Sequence, residues 1–190
     1  VSEVDLAHYI SMIEQNAWRC ARLIRTMREY SYMNGHEKGL CELKQMVETA
    51  ITLVGYEFER QNNVIIELDL EPNLEPFPCD QNQITQVLIN LLLNARDALV
   101  PDGGIIRIST WALPDEDAQA FAVCDNGSGI DQTILPYLFE PFATTKELGA
   151  GTGLGLAIAQ KILADHHGRI TAENNETAGA TFTVILPVDH

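Results

Sequence analysis

Residues 125–161 read DNGSGIDQTILPYLFEPFATTKELGAGTGLGLAIAQK, two glycine-rich turns joined by a segment with neither helical nor strand period. Glycine lets a backbone come close to a ligand, and Gly149, Gly151, Gly153 and Gly155 run directly into an apolar helical pattern from Leu154 to Ala164. A helix that begins this way turns free N–H groups and the positive end of its dipole outward, which suits an anion such as a phosphate chain. Taken alone, a glycine cluster is more often a plain turn than a ligand loop.

Outward from this stretch the periodicity alternates between strands and helices. Strands are expected at Ile105–Trp111 and Ala120–Cys124 around the acidic turn Pro114–Asp117, and at Gly168–Glu173 and Thr181–Pro187 around the turn Asn174–Gly179. Upstream, Asp80 can cap a helix to about Leu99. Its apolar face is Ile84, Val87, Leu88, Leu91, Leu92, Ala95 and Leu99, and its polar stripe is Gln83, Gln86, Asn90, Asn94 and Asp97. Val64 to Leu70 alternates as a half-buried strand ending at Glu71-Pro72, and the proline-rich stretch Pro72–Pro78 reads as a loop. A short strand at Leu40–Leu43 and an amphipathic helix from about Lys44 to Arg60 precede it. The pattern predicts an α+β fold, a two-layer sandwich in which one layer of about five strands carries three helices, rather than a βαβ series.

Before this unit, Leu6, Ile10, Ile13, Ala17, Cys20, Ile24, Met27 and Ser31 repeat in strict 4-3 spacing, a heptad seam. A helix over about Ser2–Met33 would be roughly 45–50 Å long, either lying over its own domain or forming half of a helical hairpin that dimerises into a four-helix bundle.

The 190 residues carry 12 Lys and Arg against 27 Asp and Glu, a net charge of −15, which argues against a nucleic-acid partner. Any phosphate site must therefore be local. Cys20, Cys41, Cys79 and Cys124 are scattered without a CxxC pair, so neither a zinc site nor a disulfide framework is expected. No apolar run approaches the roughly 20 residues of a membrane span, and there is no signal-peptide pattern. The expectation is a cytoplasmic piece without membrane contact of its own, compatible with an anchor elsewhere in the parent protein.

Three groups of side chains could carry chemistry. Asn90, Asn94 and Asp97 share one helix face, either a solvated stripe or oxygen donors for Mg2+, which prefers few protein ligands plus phosphate oxygens and water. Asp125, between a strand and a glycine turn, is either a turn former or a carboxylate accepting a hydrogen bond from an adenine amino group. Phe139, Pro141 and Phe142 open the aperiodic segment as an anchor or a mobile lid, with Lys146 on it as surface lysine or phosphate partner.

The ordered set QVLINLLLNARDAL, DNGSGI, LFEPFATTK, GAGTGLGLAIAQKI and GATFTVILP resembles the catalytic ATP-binding domain of two-component sensor histidine kinases. That domain belongs to the ATPase superfamily shared with gyrase-type topoisomerases, the heat-shock chaperone of that class and the mismatch-repair ATPases. The resemblance covers about residues 36–188. PFATTK looks most like the nitrogen-regulation branch, although Ala143 stands where that branch usually has Phe. The fold implied is the Bergerat-type ATP sandwich over 36–190 with a lid at about 139–153, residues 1–35 being the second helix of a dimerisation hairpin.

Carried onto this sequence, the resemblance implies ATP and Mg2+ as ligands. It puts Asn94 on the metal and Asn90 near the phosphates, Asp125 on the adenine amino group, and Gly127, Gly129 and Ile130 around the base. Phe139, Phe142 and Lys146 would lie on the lid, and Gly151, Thr152, Gly153, Leu154 and Gly155 would cradle the triphosphate. Thr181 would support the adenine site through a hydroxyl or a bridging water. Many such kinases carry a basic residue where Asp97 stands. ATP-hydrolysing members of the superfamily place Glu at the position of Asn90, and a neutral amide cannot take a proton, so phosphoryl transfer rather than hydrolysis is implied. His8, His36, His166, His167 and His190 all lack the His-Glu/Asp-x-x-Asn/Thr-Pro context of the family's acceptor, which is therefore expected outside this chain. The partners implied are a response regulator receiver domain, met through the full-length protein, and a second copy of the chain, met through the N-terminal helix. The competing expectations are a non-catalytic nucleotide-binding and dimerisation module and, from a third class, a serine-directed anti-sigma-factor kinase.

Overall fold

The computed structural model describes residues 39–59, 63–99, 103–144 and 153–188. The N-terminal heptad segment, Lys146, Gly149, Gly151 and Thr152 lie outside the described residues.

Seven strands and three helices follow in the order β1 (Gly39–Cys41), α1 (Leu43–Glu59), β2 (Val64–Leu70), β3 (Phe77–Cys79), α2 (Gln81–Leu99), β4 (Gly104–Leu113), β5 (Ala118–Asp125), α3 (Gly155–Asp165), β6 (Arg169–Asn174) and β7 (Ala180–Pro187). The main sheet has the order β2-β4-β5-β7-β6 and is mixed, with β2 parallel to β4 and every other pair antiparallel. Three helices pack on it as the expected α+β sandwich. Central α2 rests on β4 and β5, with α1 and α3 packed against it.

Period-2 alternation decides which face of each strand is buried. Ile106 and Ile108 of β4, Phe121 and Val123 of β5, and Phe182, Val184 and Leu186 of β7 meet Ile84, Leu88, Leu91 and Leu92 of α2 in one core. Burying each such side chain contributes about 1.5–3 kcal/mol. Asp80 caps α2 as its sequence predicts: Oδ1 accepts from the Asn82 N–H at 2.9 Å and the Gln83 N–H at 3.1 Å.

One expectation is corrected. The stretch Pro72–Pro78 is not loop throughout, because Phe77–Cys79 forms β3 and pairs antiparallel with β1 in a separate two-stranded sheet. Pro78 lies opposite Leu40, and alternate residues of a two-stranded ribbon turn their N–H outward, so a missing donor is tolerated there. Phe77 and Cys79 are 1% exposed, and their burial rather than any periodicity holds the strand.

Candidate functional site

The residues expected at the site lie at the end of β5, along one face of α2, at the start of α3 and on the β6–β7 turn. Asp125 ends β5 with 3% exposure. Its Oδ1 accepts from the Gly127 N–H at 2.9 Å and from the Ala180 N–H at 3.4 Å. Burial raises the Asp125 carboxyl above its ordinary value, and those two backbone donors oppose the rise. The carboxylate is thus a buried acceptor held rigid by the main chain.

The turn after it is docked from three sides. The Ser128 N–H donates to the Ala98 carbonyl at the end of α2, 3.1 Å away, and Asn126 Oδ1 accepts from the Ile105 N–H at 2.8 Å. A Cβ on Gly127 would lie 2.4 Å from the Ala98 oxygen, so only glycine allows this approach. Gly129 has φ of +73°, and Ile130 packs half-buried against the core.

On α2, Asn90 faces α3. Its Nδ2 donates to the Gly155 carbonyl at 3.0 Å, and its Oδ1 accepts from Gln86 Nε2 at 3.2 Å. Asn94, one turn on, is half-buried and has no side-chain hydrogen bond to another described residue. Asp97, on the same stripe, pairs with Arg96 at 2.6 Å. The first helical residue of α3 is Gly155, and its N-cap, Leu154, makes no side-chain capping bond. Among the described residues no side chain caps the opening N–H groups of this helix.

Phe142 and Gly153, which flank the part of the expected lid outside the described residues, meet. The Phe142 N–H donates to the Gly153 carbonyl at 2.8 Å, and a Cβ on Gly153, at φ of +63°, would come within 2.5 Å of the Phe142 backbone. Phe139 is half-buried on the core, whereas Phe142 is 71% exposed with φ of +70°. Phe142 therefore joins the lid through its backbone and not as an apolar anchor.

Thr181 does not bond the Asp125 carboxylate. It pairs with Cys124, so its side chain lies on the sheet face opposite the Asp125 carboxylate. Its hydroxyl donates to Asn175 Oδ1 at 2.7 Å instead, and Asn175 Nδ2 donates to the Asp125 carbonyl at 2.8 Å. The N–H that does reach the carboxylate belongs to Ala180. Asn174, Asn175 and Gly179 were not singled out from sequence beyond marking a turn.

Three comparisons bear on this arrangement. A family model described as histidine kinase-, DNA gyrase B- and HSP90-like ATPase matches residues 79–190. The signal transduction histidine-protein kinase AtoS of Escherichia coli (strain K12) is 37% identical over 182 residues, covering 95% of this chain and 29% of AtoS. The sensor protein FixL of Bradyrhizobium diazoefficiens is 35% identical over 173 residues, covering 91% of this chain and 34% of FixL. The chain thus spans about a third or less of these two curated relatives. Among solved structures, histidine kinase ThkA in complex with response regulator protein TrrA superposes with a TM-score of 0.79 at 26% identity, covering 100% of this chain and 53% of that one. Full-length ShkA in complex with AMPPNP gives 0.78 at 19% identity, covering 95% of this chain and 38% of that one, a likeness of fold.

Proposed function

The chain belongs to the histidine kinase-, DNA gyrase B- and HSP90-like ATPase family, and from that premise we propose that it binds Mg-ATP and acts as the catalytic domain delivering the γ-phosphoryl group to a histidine of a sensor kinase. The observation that carries this is the buried Asp125 carboxylate, fixed by the Gly127 and Ala180 N–H groups at the end of β5 and flanked by close-packed glycine turns. In this proposal the Asp125 carboxylate accepts the adenine amino group, with Gly127, Gly129 and Ile130 against the ring. The start of α3 at Gly155, with Gly151, Thr152, Gly153 and Leu154 before it, receives the phosphates, and Lys146 adds a local positive charge. The AMPPNP complex of ShkA, which shares the fold, supports a nucleotide ligand.

Mg2+ fits the donor set. Asn94 offers an amide oxygen with no competing partner among the described residues, one helical turn from Asn90. When bound, the ion would neutralise phosphate charge in a protein of net charge −15. Asn90 is bonded at both ends of its amide and carries no ionisable group, so it can hold the phosphate loop through the Gly155 carbonyl but cannot activate water. Hydrolysis would be slow and the phosphoryl group kept for a better nucleophile. The structure of ThkA with TrrA supports a response regulator as partner of the parent protein. The division into a hairpin helix at 1–35, through which the parent would dimerise, and a catalytic domain at 36–190 is part of the same proposal.

Calorimetric titration with ATP, with and without Mg2+, tests the binding step. Asn94→Ala is expected to abolish the Mg-dependent part of the affinity with the fold intact, and unchanged Mg-ATP affinity would sink the metal assignment. Transfer is tested by adding a separate helix bearing an intact histidine box and looking for an acid-labile phosphoprotein. Tight ATP binding without transfer would favour a nucleotide-binding module instead.

A further inference from the structure

At the end of β6 and the start of the turn to β7 stand two adjacent asparagines, whose side chains bond to Ile130 and Asp125, two residues of the proposed base site. Asn174 closes a two-bond ring on Ile130, accepting from its N–H at 2.6 Å and donating to its carbonyl at 2.8 Å. Asn175 Nδ2 donates to the Asp125 carbonyl at 2.8 Å and the Ala178 carbonyl at 3.0 Å, while its Oδ1 accepts from the Thr181 hydroxyl at 2.7 Å. The two carbonyls, which only accept, fix which way the amide faces, and the Thr181 hydroxyl then holds Oδ1 in place by donating to it.

These bonds sit behind Asp125, on its backbone, and not on the carboxylate that would meet a ligand. The peptide that Asn175 holds is the one next to the Gly127 turn. Asp125 Oδ1 reaches the Gly127 N–H across only two residues, so movement of the Asp125 carbonyl reorients the carboxylate directly. Gly179 completes the contact: a Cβ there would stand 1.9 Å from the Asp125 carbonyl oxygen, so turn and strand end touch with no space between.

We propose that Asn175, steadied by Thr181, is a positioning residue for base selection, holding the Asp125 peptide so that its carboxylate meets a purine 6-amino group. This rests on the nucleotide-binding proposal. The prediction concerns a ratio: loosening Asp125 should weaken ATP, whose base offers a donor to the carboxylate, more than ITP, whose base carries a carbonyl oxygen at that position.

Asn175→Asp keeps the acceptor for Thr181 but replaces the donor with an oxygen facing two carbonyls. Thr181→Val keeps the shape and removes the hydroxyl. Affinities for Mg-ATP and Mg-ITP, measured by calorimetry on the full chain beside its thermal midpoint, should show the ATP preference falling about fivefold or more in Asn175→Asp. Thr181→Val should move it in the same direction by a smaller factor. A general loss of stability would weaken both nucleotides alike and leave the ratio in place. A wild-type chain that selects ATP, with folded variants keeping the same ratio, overturns the positioning role alone. A wild-type chain that binds neither nucleotide overturns the nucleotide-binding proposal and this role with it.

Discussion

Gly179 illustrates how much one absent Cβ decides in this site. At φ of +84°, with the Asp125 oxygen 1.9 Å from where a Cβ would stand, Gly179→Ala combines a left-handed backbone with a hard overlap against the main chain. It should cost at least about 3 kcal/mol in urea unfolding. A variant of near wild-type stability would show that the turn can move away from Asp125. Gly155 is the contrasting case, because a Cβ there meets Asn90 atoms no closer than 3.7 Å, and Gly155→Ala should leave stability within about 0.5 kcal/mol of wild type. Asp125 itself has a pH signature. Below the ordinary carboxylate value of 3.8 both folded and unfolded chains hold the proton. As pH rises, the unfolded chain ionises first, so the folded state, binding more protons, loses stability until the raised folded value is passed. Asp125→Asn can keep the oxygen that accepts from Gly127 and Ala180, and its stability relative to wild type should therefore increase as pH climbs through that window. Unfolding curves for both proteins at matched pH check this, and a difference independent of pH would contradict the burial of the charge. Asp125, Gly127 and Gly129 stand out in the sequence only in company with the other spaced motifs, because an aspartate beside a glycine turn is by itself an ordinary turn former. Asn174, Asn175 and Gly179 do not, since the same residues are ordinary turn formers and only tertiary contact shows what they hold.

Between elements, the decisive join is that of α2 and α3, which touch at both ends. At the site end Asn90 donates to the Gly155 carbonyl; at the far end the Asp80 N–H donates to His166 Nε2 at 3.0 Å, and His166 Nδ1 lies 2.8 Å from the Ile162 carbonyl. The buried imidazole thus bridges the start of α2 and the end of α3. The bridge fixes how far α3 slides along α2, and with it where the start of α3 stands relative to Asn90 and Asn94. His166→Phe would keep the ring volume but strand the buried Asp80 donor, at a cost of about 1–3 kcal/mol in chemical denaturation. Undiminished stability would mean that the donor finds another acceptor. The helices and long strands were readable because their apolar spacing extends over several turns or alternations, and β2 at Val64–Leu70 agrees with the expectation residue for residue. The pair of β1 and β3 was not, because three residues hold no period and Pro78 argues for a loop. His166 was considered only as a phosphoacceptor, for want of any local signal that a histidine closing one helix would bond to the start of another.

At the scale of the whole molecule, charge works against compactness. The described ion pairs Lys44–Glu48, Arg107–Glu67 and Arg169–Glu116 are all partly or largely exposed, and such pairs contribute little. With a net charge of −15, folding gathers like charges that the unfolded chain spreads apart. Salt shortens the range of that repulsion, from about 30 Å at roughly 10 mM to under about 10 Å at roughly 300 mM. Raising sodium chloride across this interval at pH 7 should raise the thermal midpoint by about 2–4 °C, the shift that roughly 1 kcal/mol produces in a domain of this size. At a pH near the isoelectric point of about 4.5 the repulsion is gone, and the salt effect should vanish with it. A midpoint that ignores salt at pH 7 would mean that the charges are already neutralised locally. The same field bears on the proposed ligand: a polyanion approaches this surface against its net charge, so the proposal assigns the affinity to the start of α3, Lys146 and Mg2+ acting at short range. Nucleotide affinity should accordingly strengthen, or at least hold, as monovalent salt rises at fixed Mg2+. A steep loss with salt would mean that binding relies on long-range attraction, which a chain of this charge cannot supply.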